Sequence, residues 1–134
     1  MSEPAPTPQR ICVIGYPKTG KTTVVAPSFG LPIRSTDSLI QSHDWSAASD
    51  EVLTWLAEPG PWVIEGVAAV RALRKWVAAN AGNMQKPCDM VVWLDQPLIP
   101  LSKGQLTMAK GCRTIWTELL PYLRLRGVAI MKGI

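Results

Sequence analysis

The apolar positions of the chain fall into five short runs separated by longer stretches of mixed character. Ile11-Cys12-Val13-Ile14 is continuous and largely β-branched, which predicts a strand buried on both faces. A second strand is expected over residues 32–36, ending at Asp37, and a third, Trp62-Val63-Ile64-Glu65, follows the turn Glu58-Pro59-Gly60-Pro61. Met90-Val91-Val92-Trp93-Leu94 is the most strongly apolar run, and Gly127-Val128-Ala129-Ile130 is a short fifth. Helical spacing fills the gaps. One helix is expected over residues 46–56, with Ser46 or Ser49 as its cap, and another over residues 67–79, with Val70, Leu73 and Val77 on one face. A third is expected over residues 103–120, although Gly104 and Gly111 lower its propensity. A short helix after the first strand should stop at Pro27. Continuous apolar strands alternating with helices predict an α/β fold, a parallel sheet with helices on both faces.

With 134 residues, 47% of them apolar, the chain has enough core-forming material for one domain without disulfides. Residues 1–9 are Pro-rich and aperiodic, which predicts a disordered tail before a single domain over residues 10–134. The start lacks the basic and apolar regions of a secretory leader, and no apolar stretch approaches the roughly 20 residues needed to cross a bilayer. Cys12, Cys88 and Cys112 are scattered and odd in number, as expected of reduced thiols in a cytoplasmic protein with no membrane partner. The net charge of +4 is unevenly placed: after Asp95 come Lys103, Lys110, Arg113, Arg124, Arg126 and Lys132 against Glu118 alone. Such a skew suits a polyanionic ligand, and it equally suits an ordinary solvated face.

The candidate chemistry follows the first strand directly. Gly15-Tyr16-Pro17-Lys18-Thr19-Gly20-Lys21-Thr22 is a complete G-x-x-x-x-G-K-[ST] phosphate-binding loop. Its position between an apolar strand and a predicted helix points backbone N–H groups at an anion, with the helix dipole favouring that charge. ATP or another nucleoside triphosphate is the expected ligand, held by residues from Gly15 to Thr23. Lys21 would reach the β- and γ-phosphates, and the Thr22 hydroxyl would ligate Mg²⁺.

With this loop, Asp37, the pair Glu65-Gly66 and the turn Leu94-Asp95-Gln96-Pro97, the chain resembles the small P-loop kinases, a group spanning adenylate kinase-like and polynucleotide kinase-like proteins. The resemblance implies a three-layer P-loop NTPase fold whose five-stranded parallel sheet has the order 2-3-1-4-5. It implies transfer of a γ-phosphoryl group to a nucleoside, nucleotide or nucleic-acid acceptor. Asp37 would orient the acceptor hydroxyl or accept its proton, a helix cap being the alternative. Glu65 would bind a Mg²⁺-bound water or contact the acceptor, and Asp95 is either a turn into the lid or a second metal-side acid. Arg71 and Arg74 would face the acceptor phosphate, and Arg113 would bring a lid arginine onto the transferring group. The family's lid carries several arginines around an inserted loop. Here that segment holds one arginine and a continuous helical pattern, so a reduced lid is expected.

A rival reading keeps the nucleotide and drops the acceptor. In that case Asp95-Gln96 ends the fourth strand as the metal-side acid of a P-loop ATPase or a nucleotide-controlled binding module. Gln96 in place of a catalytic Glu would make hydrolysis weak. A decayed kinase retaining only the nucleotide fold is a third possibility.

Overall fold

The computed structural model describes residues 9–16, 26–36, 39, 45–95 and 100–132. Its strands are β1 (Arg10–Gly15), β2 (Ile33–Ser35), β3 (Trp62–Glu65), β4 (Met90–Leu94) and β5 (Ala129–Lys132). Three α-helices are described: α1 (Trp45–Leu56), α2 (Ala68–Ala79) and α3 (Lys103–Leu125). A 3-10 turn covers Ala26–Phe29. The sheet is parallel throughout, with strand order β2-β3-β1-β4-β5.

The period-2 alternation of strand side chains divides the core into two layers. Cys12, Ile14, Trp62, Ile64, Val91 and Trp93 face one side. There they meet Val52 and Leu56 of α1, Val70 and Leu73 of α2, and Ile115 and Leu119 of α3. Ile11, Val13, Val63, Val92 and Leu94 face the other side, against Phe29, Leu31 and Met90. All three described helices therefore cover one face, and the handedness of crossovers explains it. The steps β2→β3, β3→β4 and β4→β5 run in one direction across the sheet, so right-handed connections place α1, α2 and α3 together. The step β1→β2 runs the opposite way, and Phe29 and Leu31, at the described end of that connection, pack on the second face. The short helix expected before Pro27 lies outside the described residues.

Two element boundaries differ from expectation. The third helix runs on from residue 120 to Leu125, through Pro121. Pro121 is exposed, so the carbonyl deprived of its N–H partner, that of exposed Thr117, faces water. Gly127 then ends the helix instead of starting the strand. At φ +81° it donates its N–H to the Arg124 carbonyl at 3.0 Å, while the Val128 N–H reaches the Leu123 carbonyl at 3.1 Å. This pair of bonds is the Schellman arrangement, with Leu123 and Val128 both buried beneath it. The other end of α3 has a capping box: Ser102 Oγ accepts from the Gln105 N–H at 3.2 Å, and Gln105 Oε1 accepts from the Ser102 N–H at 2.9 Å. In α1 neither Ser46 nor Ser49 is the cap. The helix already includes Trp45, and the Ser49 hydroxyl donates back to the Ser46 carbonyl at 2.9 Å. Among the described residues no helix is long and apolar enough to cross a membrane.

Candidate functional site

The connection direction reverses at β1, and ligands of open parallel sheets bind beside such a reversal, at the carboxyl ends of the strands. Gly15 ends β1 in register with Leu94 of β4. Its φ is +146°, and a Cβ there would lie 1.9 Å from the Leu94 carbonyl oxygen. Only glycine lets the chain leave β1 so close to β4, and the Tyr16 N–H then donates to that same carbonyl at 2.8 Å. On the opposite flank Gly66 leaves β3 at φ +125°, where a Cβ would lie 2.0 Å from Thr36 Oγ1. The Thr36 N–H donates to the Glu65 carbonyl at 2.9 Å, and the Gly66 N–H to the Val13 carbonyl at 3.1 Å. The first glycine of the phosphate-loop motif, the Glu65-Gly66 pair and the end of β2 thus form one corner.

Glu65 is wholly buried and stands in register with Val13 and Ser35. By alternation its side chain shares the face of Val63 and Val13, the side on which Phe29 and Leu31 pack. A carboxylate withdrawn from water is costly unless a cation, a donor or a proton compensates it. Thr36, also wholly buried, has a hydroxyl with no hydrogen-bond partner among the described residues. Asp95 follows β4 with its side chain 19% exposed, one oxygen 4.0 Å from Lys132 Nζ and the other, Oδ1, buried without a partner among the described residues. By alternation it belongs to the opposite face from Glu65, that of Trp93 and α3. Among the described residues no three His, Cys, Asp or Glu side chains converge on one point.

The predicted site residues divide into three groups. Gly15, Tyr16, Glu65 and Asp95 gather at the carboxyl ends of β1, β3 and β4. Pro17, Lys18, Thr19, Gly20, Lys21, Thr22, Thr23 and Asp37 lie outside the described residues. Arg71, Arg74 and Arg113 are described, and they point to three different places. Arg71 lines a cavity between the first halves of α2 and α3. Arg74, one turn on, lines a separate apolar groove with Tyr122 and Leu125. The two arginines, expected to face one anion, thus line separate spaces. Arg113 is exposed and lines a shallow depression with Lys110, Thr114 and Glu118 on the outer side of α3, the side away from buried Cys112 and Trp116.

Sequence reading missed two features of this end. Thr36 stands beside the predicted Asp37, but only the fold shows that its hydroxyl meets Gly66. The Cys112 thiol lies 3.7 Å from the Gly15 carbonyl and fastens α3 to the start of the loop. Near it, the Tyr16 ring meets Trp93 edge-on at 5.7 Å, and Trp93 stacks on Trp116 at 5.0 Å. These aromatic contacts buttress the backbone at the loop entrance. Cys12 and Cys88 are buried in the core, where the hydrogen bond with Cys88, followed by burial, holds the Cys12 thiol well above its ordinary range. Neither a known protein family nor a curated protein matches this chain.

Proposed function

We propose that this chain is a Mg²⁺-dependent P-loop phosphotransferase that moves the γ-phosphoryl group of ATP, or another nucleoside triphosphate, to an acceptor at the carboxyl end of its sheet. One observation carries the reading. The first glycine of a complete phosphate-loop motif ends the strand at which the connection direction reverses, pressed against Leu94 where no side chain fits. In this reading the loop and Lys21 hold the donor phosphates, Thr22 ligates the metal, and Asp37 orients the acceptor.

The buried Glu65 fits a metal-bound water in this site. Mg²⁺ keeps several waters and binds through one or two protein oxygens plus substrate phosphates, so it needs no protein cage. When bound it would neutralise charge on the transferring group. The buried Asp95 Oδ1, without a partner among the described residues, favours the ATPase reading instead. Against it stand Lys132, which already supplies a positive charge beside Asp95, and the strand face, which turns Asp95 toward α3.

Transfer of labelled γ-phosphate from Mg²⁺–ATP to a panel of nucleosides, mononucleotides, and DNA and RNA ends tests the reading. Label should appear on an acceptor, and Lys21→Ala should reduce transfer on the order of 100-fold. Glu65→Gln should weaken the Mg²⁺ dependence about tenfold, more than Asp95→Asn does. Label recovered only as free phosphate, with Asp95→Asn the more damaging variant, would replace the kinase by the ATPase.

A further inference from the structure

The cavity between α2 and α3 has a volume of about 400 Å³ and opens beside the loop entrance. Its α2 wall begins at Val67, directly after Gly66, and its α3 wall includes Cys112, whose thiol touches the Gly15 carbonyl. The space exists because α3 carries glycine at positions 104 and 111, two helical turns apart on the cavity side. A Cβ at either would meet nothing within 4 Å. Each glycine costs a helix about 1 kcal/mol relative to alanine, and neither makes a turn or a close approach here. What the two glycines provide is room against the helix backbone.

The chemistry of the lining selects the occupant. Arg71 is the one ionised residue among the described lining residues, and its five N–H donors can take an anion besides the interaction the side chain already makes, so the ligand class is an anion. Val67, Val70, Met108 and Ile115 make the walls apolar. No side-chain amide or carboxylate among them can read the edge of a nucleobase, and the Thr107 hydroxyl already donates to the Lys103 carbonyl at 3.2 Å. The volume fits one small molecule and is far too small for a nucleic-acid duplex.

We infer that this cavity is the acceptor-side subsite and that it takes a compact organic anion with an apolar body, an assignment that rests on the phosphotransferase reading. The test is a binding titration of the full chain with phenyl phosphate as the probe, followed by saturation-transfer NMR. Inorganic phosphate and thymidine monophosphate are the comparison ligands, and Mg²⁺–ATP is titrated in parallel. Phenyl phosphate should bind about tenfold more tightly than inorganic phosphate, because its ring is buried. Gly111→Leu should abolish that binding by filling the space, and Arg71→Gln should weaken it about tenfold. Both variants should keep the Mg²⁺–ATP affinity and thermal melt of the parent, which separates a filled cavity from a damaged fold.

Equal binding of phenyl phosphate to the parent and Gly111→Leu would overturn the cavity as the site. Inorganic phosphate binding as tightly as phenyl phosphate, or thymidine monophosphate binding more tightly, would overturn the apolar-body class. If the parent bound phenyl phosphate in the cavity but no Mg²⁺–ATP, the nucleotide reading would fall and the acceptor role with it. The anion site itself would stand.

Discussion

The two ends of the sheet are built by opposite rules. At the amino ends, polar groups are matched across elements. The Arg10 backbone N–H donates to Asp89 Oδ2 at 2.9 Å, with the Arg10 guanidinium 3.3 Å from Oδ1. Arg126 is buried after α3, donates to the Asn80 and Asn83 carbonyls at 2.8 and 3.2 Å, and lies over Trp76, with its Nε as the exception that has no partner among the described residues. At the carboxyl ends the same chain buries a carboxylate at Glu65, leaves the hydroxyl of Thr36 and one oxygen of Asp95 without a hydrogen-bond partner among the described residues, and bends at two glycines where a Cβ would clash. One end holds the fold together. The other accepts local costs, as sites poised for a ligand do.

Substitutions at the two ends should therefore differ in whether ligand binding changes along with stability. The largest effect is expected for Gly15→Ala, whose methyl group must displace the Leu94 carbonyl. It should cost about 3 kcal/mol or more in chemical denaturation, and it should remove nucleotide binding with it. Next, Arg126→Met keeps the volume over Trp76 while leaving two carbonyls without their donors. A loss of about 2–4 kcal/mol is expected, with Mg²⁺–ATP affinity unchanged in the folded variant. If affinity fell as well, the two ends would not be independent.

Thr36→Val inverts the usual sign. It removes a buried hydroxyl with no partner among the described residues, so the free energy of unfolding should hold or rise by up to about 1 kcal/mol while phosphoryl transfer falls. A clear loss of stability would mean that the hydroxyl is satisfied in the folded protein. The smallest effect concerns pH. Cys12 has its folded-state pKa raised, so the folded chain retains a proton that the unfolded chain releases. That contribution to stability is fully present below the ordinary thiol value of 9.0 and is lost as pH rises above it. Denaturation midpoints measured upward from there should fall, and Cys12→Ala should flatten the slope.

Much of the fold was legible because burial on both faces leaves an unbroken apolar run. That signal located β1, β3 and β4 to within a residue, and periodicity located α2 as closely. Edge elements were read less well. The run at Gly127 looked like strand, yet its glycine was needed by the end of α3, where a positive φ let the Leu123 and Arg124 carbonyls be satisfied. The capping box at Ser102 and Gln105 was readable from spacing and was overlooked. Arg71 and Arg74 show the limit of helical spacing. Neighbours on one helix need not share a ligand, because the crossing of α3 assigns one to a cavity and the other to a groove.

By itself, the sequence determined the candidate chemistry: a glycine-lysine-threonine loop after a buried strand suits phosphate, since few other patterns aim so many backbone donors at one anion. It also determined the alternation that makes a parallel sheet. Only the tertiary structure decided which residues meet there. Crossover handedness set α1, α2 and α3 on one face, and the register of β3 and β4 against β1 turned Glu65 and Asp95 to opposite sides. The packing of α2 against α3 made two inconspicuous glycines into the walls of a cavity. Contacts between residues far apart in the chain depend on how elements cross, and no local pattern records that angle.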